Sequence, residues 1–323
     1  MDLGNMEPGL QISNITEEWA KSFRKLHMEF FVISTTVFTL ATLIVNFILL
    51  ACIFRTHALC QETRYLLVAN TLISDVLFLI FHLTTQLCNS TGVVISWTVC
   101  ELVTTVTATA YSSAILSVTL MVVDTYAAVR WPLKYREFLP PARTHRILLG
   151  MWLFATTYPL TLVILMVSDR KQDEEVKMCL VLILLWFMET KNTVGNHLYL
   201  LITAIVCAIL ILYCYIRLYM VTKTQGIWQS RFSRARGTLL VHGILLMLYF
   251  TPSFVFSVEL ILFHRKDINH DVQVWISTVN MSVFMLLPRA CAPYLYGLRY
   301  REIRETLIQL LFHPRCRPQI TFS

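Results

Sequence analysis

Two residues of opposite charge stand deep inside long apolar stretches of this chain. Asp75 lies about ten residues from the inner end of its stretch and Arg289 about nine from the inner end of another. At 1.5 Å per residue that is roughly 15 Å and 13 Å of depth. A charge in hydrocarbon is costly, so residues of this kind are functional candidates by default. The chemistry open to them is neutralisation or switching rather than bond making. Three further acids sit at stretch ends: Asp124 at an inner end, Glu101 and Glu259 near outer ends, where they are expected to reach water. Catalytic signatures are missing. The nine histidines are scattered with no HExxH, and there is no GxSxG and no phosphate-binding glycine loop. Neither an enzyme nor a cofactor or metal site is expected.

The elements that must position these charges are membrane spans. Seven stretches, at about 30–54, 65–87, 98–129, 147–167, 197–221, 239–263 and 273–297, meet the roughly 20 apolar residues that a helix needs to cross a bilayer. Hydrophobic residues make up 56% of the chain and charged ones only 15%, which leaves no room for a soluble catalytic domain. The first 29 residues are polar and read as an N-terminal tail. The first apolar run is too long for a signal h-region, so no cleaved leader is expected. Residues 30–298 form the membrane domain and 299–323 a cytoplasmic end.

Orientation follows from Lys and Arg placement. With the N-terminus outside, 17 of the 27 basic residues fall on inner segments with only four acids, a net +13 there, against a net −3 on the outer segments. The net charge of +7 is therefore a topology signal and no sign of nucleic-acid binding. Two glycosylation sequons, at Asn14 and Asn89, fall on the predicted outer side. Of nine cysteines, Cys100 and Cys179 lie on the oxidising outer side, where a bridge would pin the long loop after the fourth stretch over the bundle; Cys88 is an alternative partner on the same side. That loop, 168–196, turns apolar from Met178 to Met188, as a lid or as an outward extension of the fifth helix would. From Arg299 to Phe312, Tyr300, Ile303, Leu307 and Leu311 recur at helical spacing, predicting an amphipathic helix on the inner leaflet. Pro314 ends it, and Cys316 beyond is either a palmitoylation candidate or a free thiol.

Across roughly 30–312 the residues resemble the rhodopsin-like (class A) G-protein-coupled receptors. Asn46 falls in the inner half of the first helix and Leu72-Ile73-Ser74-Asp75 resembles the second-helix LxxxD motif. Cys100 precedes Asp124 by 24 residues, Pro132 follows in the second inner loop, and Trp152 sits in the fourth helix. Pro252 and Pro293 match kinking prolines of helices six and seven, and Pro293 to Tyr296 is similar to the PxxY of NPxxY. The departures are specific. The DRY arginine is replaced in Asp124-Thr125-Tyr126, the sixth-helix tryptophan position is Phe250, and Ala292 precedes Pro293. Ser233–His242 and Leu287–Ala290 resemble a narrower group, the brain-and-testis-restricted orphan receptor and fish odorant-type receptors.

The resemblance implies an all-α bundle of seven transmembrane helices with the N-terminus extracellular, located in the plasma membrane. Its implied partners are an extracellular small molecule, a heterotrimeric G protein and the lipid bilayer. It implies a Cys100–Cys179 bridge. It makes the second and seventh helices neighbours, which sets Asp75 against Arg289 as an ion pair. It places a ligand pocket among Thr104, Thr107 and Tyr111 on helix three, Phe250, Ser253, Phe254 and Ser257 on helix six, and Thr278 and Ser282 on helix seven. Thr107 stands where amine receptors carry aspartate, so the expected ligand is small and weakly polar. The implied moving parts and G-protein face comprise Asp124, Thr125, Tyr126, Pro132, Arg234, Arg236, Pro252, Pro293 and Tyr296. Without the arginine, Asp124 is expected to pair with Arg130, Arg136, Arg234 or Arg236, or to face water alone. A transporter or channel is the rival from another class. It would show inverted repeats or several midplane charges, and the chain has no repeat and one such pair.

Overall fold

A computed structural model describes residues 8–25, 29–131, 133–138, 140–169, 175–176, 178–179, 202–203, 205–217, 219–220, 231–265 and 269–312; at some helical positions, including 8–15 and 231–236, it describes the backbone alone. Among the described residues the regular structure is helical apart from one short two-stranded ribbon. In chain order the elements are α1 (Pro8–Lys25), α2 (Glu29–Arg55), α3 (His57–Cys60), α4 (Thr63–Thr91), β1 (Ile95–Ser96), α5 (Trp97–Arg130), α6 (Tyr135–Phe138), α7 (Pro141–Asp169) and β2 (Glu175–Val176). After these come α8 (Ile205–Arg217), α9 (Arg231–Arg265), α10 (His270–Val279), a π-helical turn Asn280–Phe284, α11 (Leu287–Arg299) and α12 (Arg301–Phe312).

The seven expected stretches fall on α2, α4, α5, α7, α8, α9 and the α10–π–α11 unit. Five helical segments among the described residues are long and apolar enough to cross a membrane: Phe30–Arg55, Thr63–Thr91, Trp97–Arg130, Leu240–Glu259 and His270–Gly297. Their outward faces are apolar. Phe30, Ile33, Val37, Ile44 and Met247 are all largely exposed, a surface suited to lipid and not to water. The inside holds the polar groups.

α5 is the hub, packing on α4, α7 and α9. Its start is capped by Ser96, whose hydroxyl accepts from the Val99 N–H at 3.4 Å. Hydrogen bonds between side chains tie the inner half. Asn70 donates to Ser117 at 2.7 Å and accepts from the Trp152 indole at 2.9 Å, joining α4, α5 and α7. Ser74 donates to Ser113 at 3.0 Å beside them. Such bonds matter where lipid offers no competing donor. α4 ends at Gly92, whose φ of 70° is the left-handed conformation a helix C-cap requires and a Cβ would strain.

The N-terminal tail departs from expectation. Residues 8–25 form a helix with Pro8 at its first position, as suits a residue without an N–H. Thr16, Trp19, Ala20 and Phe23 are buried, and α1 packs on α10 and β2. Lys25 pairs with Asp271 at 2.9 Å, and Ser22 and Trp19 both meet His270. At the other end, α12 begins after Tyr300 and buries Ile303 and Thr306 against α2 and α11. The lid segment 180–188, Pro132 and Cys316 lie outside the described residues, as do the side chains of Asn14, Arg234 and Arg236.

Candidate functional site

The deepest polar cluster of the bundle gathers residues from four spans. Asp75 and Arg289 are fully buried, with Arg289 Nε 3.6 Å from Asp75 Oδ1. That separation is an ion pair but too long for a hydrogen bond. The hydrogen bonds go elsewhere. Tyr249 of α9 donates its hydroxyl to the Asp75 carboxylate, 2.7 Å from each oxygen. Arg289 Nη1 donates to the Met285 carbonyl one turn back. The guanidinium lies 3.3 Å from the centre of the Phe78 ring, 5.3 Å from that of Tyr111 and 5.5 Å from that of Tyr249. Aromatic faces thus take up part of the positive charge. Tyr111 in turn donates to the Tyr249 backbone carbonyl and shares a 2.7 Å hydrogen bond with Ser253. Pro252 sits within this stretch of α9, where its missing N–H leaves a backbone carbonyl without a helical partner.

The remaining candidate pocket residues are dispersed. Thr107, Ser257 and Thr278 return their hydroxyls to carbonyls of their own helices, and Thr104 lies 3.9 Å from Cys179 Sγ. Ser282 is buried and takes a 3.5 Å hydrogen bond from Gln86. Phe250 is half-buried against the core. Phe254, which the resemblance set among the pocket residues, is 71% exposed on the outward face of α9. It leaves the pocket set.

On the outer side, Cys100 and Cys179 are joined in a disulfide, and Cys88 is a free thiol. Asn89 clasps the bridge. Its Oδ1 accepts from the Cys179 N–H at 2.8 Å and its Nδ2 donates to the Cys179 carbonyl at 3.0 Å. One N–H of the sequon's amide nitrogen is thus engaged in holding the loop. The adjoining ribbon pairs Ile95 with Val176 and Ser96 with Glu175.

Both outer acids differ from expectation. Glu101 is 4% exposed and accepts from the Trp97 indole one turn earlier. Glu259 is 3% exposed, buried against α10 rather than reaching water.

On the inner side, the described partner of Asp124 is a tyrosine; of the expected arginines, the side chains of Arg136, Arg234 and Arg236 lie outside the described residues. Tyr135 of α6 donates to Asp124 Oδ1 at 2.5 Å. Burial, and then the carboxylate beside it, hold the Tyr135 hydroxyl well above the ordinary phenol range, which keeps the proton on tyrosine. Thr125 turns its hydroxyl back onto the Met121 carbonyl at 2.8 Å. Tyr126 is buried between Trp131 and Tyr213, ring centres 6.1 Å away on each side. Pro293 lies inside α11, and Tyr296 is buried beside Tyr300.

A lipid-facing bundle of helices built round one buried ion pair, with a disulfide tying the third span to the outer loop, is the architecture of a seven-transmembrane receptor. The chain belongs to that family: the profile of the 7 transmembrane receptor (rhodopsin family) matches residues 45–296. A human relative, "Probable G-protein coupled receptor 148", is 36% identical over 268 residues, which cover 81% of this chain and 77% of that protein. The protein is a receptor of the multi-pass membrane class and not an enzyme.

Sequence reasoning missed Tyr249, Asn70 and Tyr135, and the hold of Asn89 on Cys179. Tyr249 and Asn70 carry no charge to mark them within their spans, and only a neighbouring helix reveals their partners.

Proposed function

We propose that the chain is a plasma-membrane receptor that binds a small extracellular ligand and signals to a heterotrimeric G protein. The observation that carries this reading is Tyr249. Its hydroxyl holds Asp75, its backbone carbonyl holds Tyr111, and it belongs to the helix that carries Pro252. A ligand contacting Tyr111 or Ser253 from outside therefore acts on the same group that anchors the sixth span to the second and seventh. It favours the active bundle only through its differential affinity for the two states. Asp124, Thr125, Tyr126 and Tyr296 belong to the inner face that meets the G protein, with Arg234 and Arg236 supplying positive charge. The motifs Ser233–His242 and Leu287–Ala290 favour an orphan-type receptor, with an odorant-type chemoreceptor as the variant of that reading.

Tyr249→Phe removes a hydrogen bond to a charged group, worth about 1.5 to 3 kcal/mol. The expected result is a severalfold rise in basal nucleotide exchange at matched surface expression, since the sixth span loses one anchor. Exchange at the wild-type level would remove Tyr249 from the activation mechanism.

A second reading, a receptor-like protein that does not signal, is favoured by Thr125, which turns back on its own helix where an arginine would reach outward. The deciding experiment is basal nucleotide exchange on a panel of G proteins, wild type against Thr125→Arg. Activity in wild type on at least one G protein is the expected result. Silence in both proteins would favour the second reading.

A further inference from the structure

Between α9 and α10, in the outer half of the bundle, four buried polar side chains come together. Glu259, Gln273, Ser277 and Asn280 are 3%, 7%, 2% and 0% exposed. Among the described residues, neither Glu259 carboxylate oxygen has a hydrogen-bond partner, and the same holds for Ser277 Oγ, Asn280 Oδ1 and Gln273 Nε2. Ser277 and Asn280 flank the carboxylate as its nearest polar neighbours; Asn280 gives one of its two amide N–H groups to the Pro252 carbonyl at 3.3 Å, and its Oδ1 has no partner. These atoms comprise three acceptor oxygens of carboxylate and amide, one hydroxyl and one amide donor. Buried polar groups are almost always satisfied, and a set so rich in acceptors calls for a group with several N–H donors and positive charge.

A cavity of about 150 Å³ adjoins the cluster, lined by Phe254, Val255, Val258, Leu262 and Ile276 with Glu259 and Gln273 at its polar end. Phe254 and Val258 also lie on the outward surface of α9, so the cavity stands on the lipid side of the bundle. An apolar cavity near this size accommodates one benzene ring. The π-helical turn begins at Asn280 itself, a backbone form that recurs at functional sites.

We infer that this cluster is a second ligand site, apart from the Tyr111–Ser253 pocket, for a protonated primary amine carrying a compact apolar group about the size of a phenyl ring. The ammonium would lie against Glu259, Ser277 Oγ and Asn280 Oδ1, and the ring would fill the cavity along Val255, Val258 and Ile276. The amine that Thr107 disfavours on the third span finds its carboxylate here, on the sixth.

The test needs no G protein. Benzylammonium and 2-phenylethylammonium are titrated into the purified full-length receptor in detergent by calorimetry, with 2-phenylethanol as the uncharged control. Saturable one-to-one binding of an amine is expected. Glu259→Gln should weaken it by at least about tenfold, as loss of a charge-assisted contact does, while binding of the alcohol stays equal in the two proteins. Ile276→Trp, which fills the cavity and keeps the carboxylate, should abolish amine binding, and it carries the test if Glu259→Gln does not fold. Absence of saturable amine binding in wild type, or equal affinity in wild type and a folded Glu259→Gln, overturns the inference.

Discussion

Asp75→Asn is expected to deplete the folded receptor from the cell surface. The substitution leaves Arg289, which is 0% exposed, with a full charge met by the Met285 carbonyl and the rings of Phe78, Tyr111 and Tyr249 but by no anion. Removing one partner of a buried ion pair costs about 3 to 5 kcal/mol, because the other charge stays buried and uncompensated. Against the 5 to 15 kcal/mol that typically separates folded from unfolded, that is enough to divert most of the protein to quality control. Adding Arg289→Leu to Asp75→Asn removes the orphaned charge and should recover part of the loss. Surface labelling of an epitope-tagged chain, normalised to total protein, reads both. Wild-type levels for the single variant, or no recovery in the double, would refute the pair as a stabilising unit.

Cys179→Ser comes next in size. The bridge closes 79 residues of chain between the head of α5 and the outer loop, and loss of such a bridge costs roughly 2 to 5 kcal/mol. The loss does not stop at the sulfur. Asn89 holds Cys179 through both backbone groups, and the β1–β2 ribbon lies just before it. The bridge, the clasp and the ribbon brace one short segment, so releasing the first weakens the others. The expected outcome is a fall of several degrees in the melting temperature of purified receptor and loss of binding for any ligand that depends on that loop. Cys88→Ser, which removes a free thiol, should leave the melting temperature unchanged. The reverse pattern would reassign the bridge.

What the sequence made legible was whatever the bilayer penalises. A charge inside an apolar run stands out, so Asp75 and Arg289 could be seen, and equal depths on neighbouring helices set them opposite one another. The structure places them 3.6 Å apart. Lys and Arg asymmetry and the length of the apolar runs made the spans visible for the same reason. Partners chosen across helices were not legible. Glu259 was judged by its distance from a helix end, which says nothing about α10 standing over it. Asp124 was expected to meet an arginine or to face water alone, and the short α6 brings a tyrosine to it. The N-terminal helix was hidden because its apolar residues, Trp19, Ala20 and Phe23, are too few to stand out in a polar segment and acquire meaning only against α10 and β2.

The π turn in the seventh span bears on how this helix is counted. The Met285 N–H reaches back to the Asn280 carbonyl at 2.9 Å, five residues instead of four, so one turn holds a spare residue. Each residue of an α-helix advances the face by about 100°. A helical wheel drawn outward from Pro293 therefore slips by one residue on passing Asn280, and Gln273, Ser277 and Thr278 fall on faces that the wheel misassigns. The spare residue is also slack. If the wide turn moved along the span, the outer segment would rotate against the inner one without breaking either, and Gln273 and Ser277 would swing relative to Glu259 while Arg289 stayed at Asp75. The π turn thus divides the seventh span into an outer part facing Glu259 and an inner part facing Asp75, each with its own helical register.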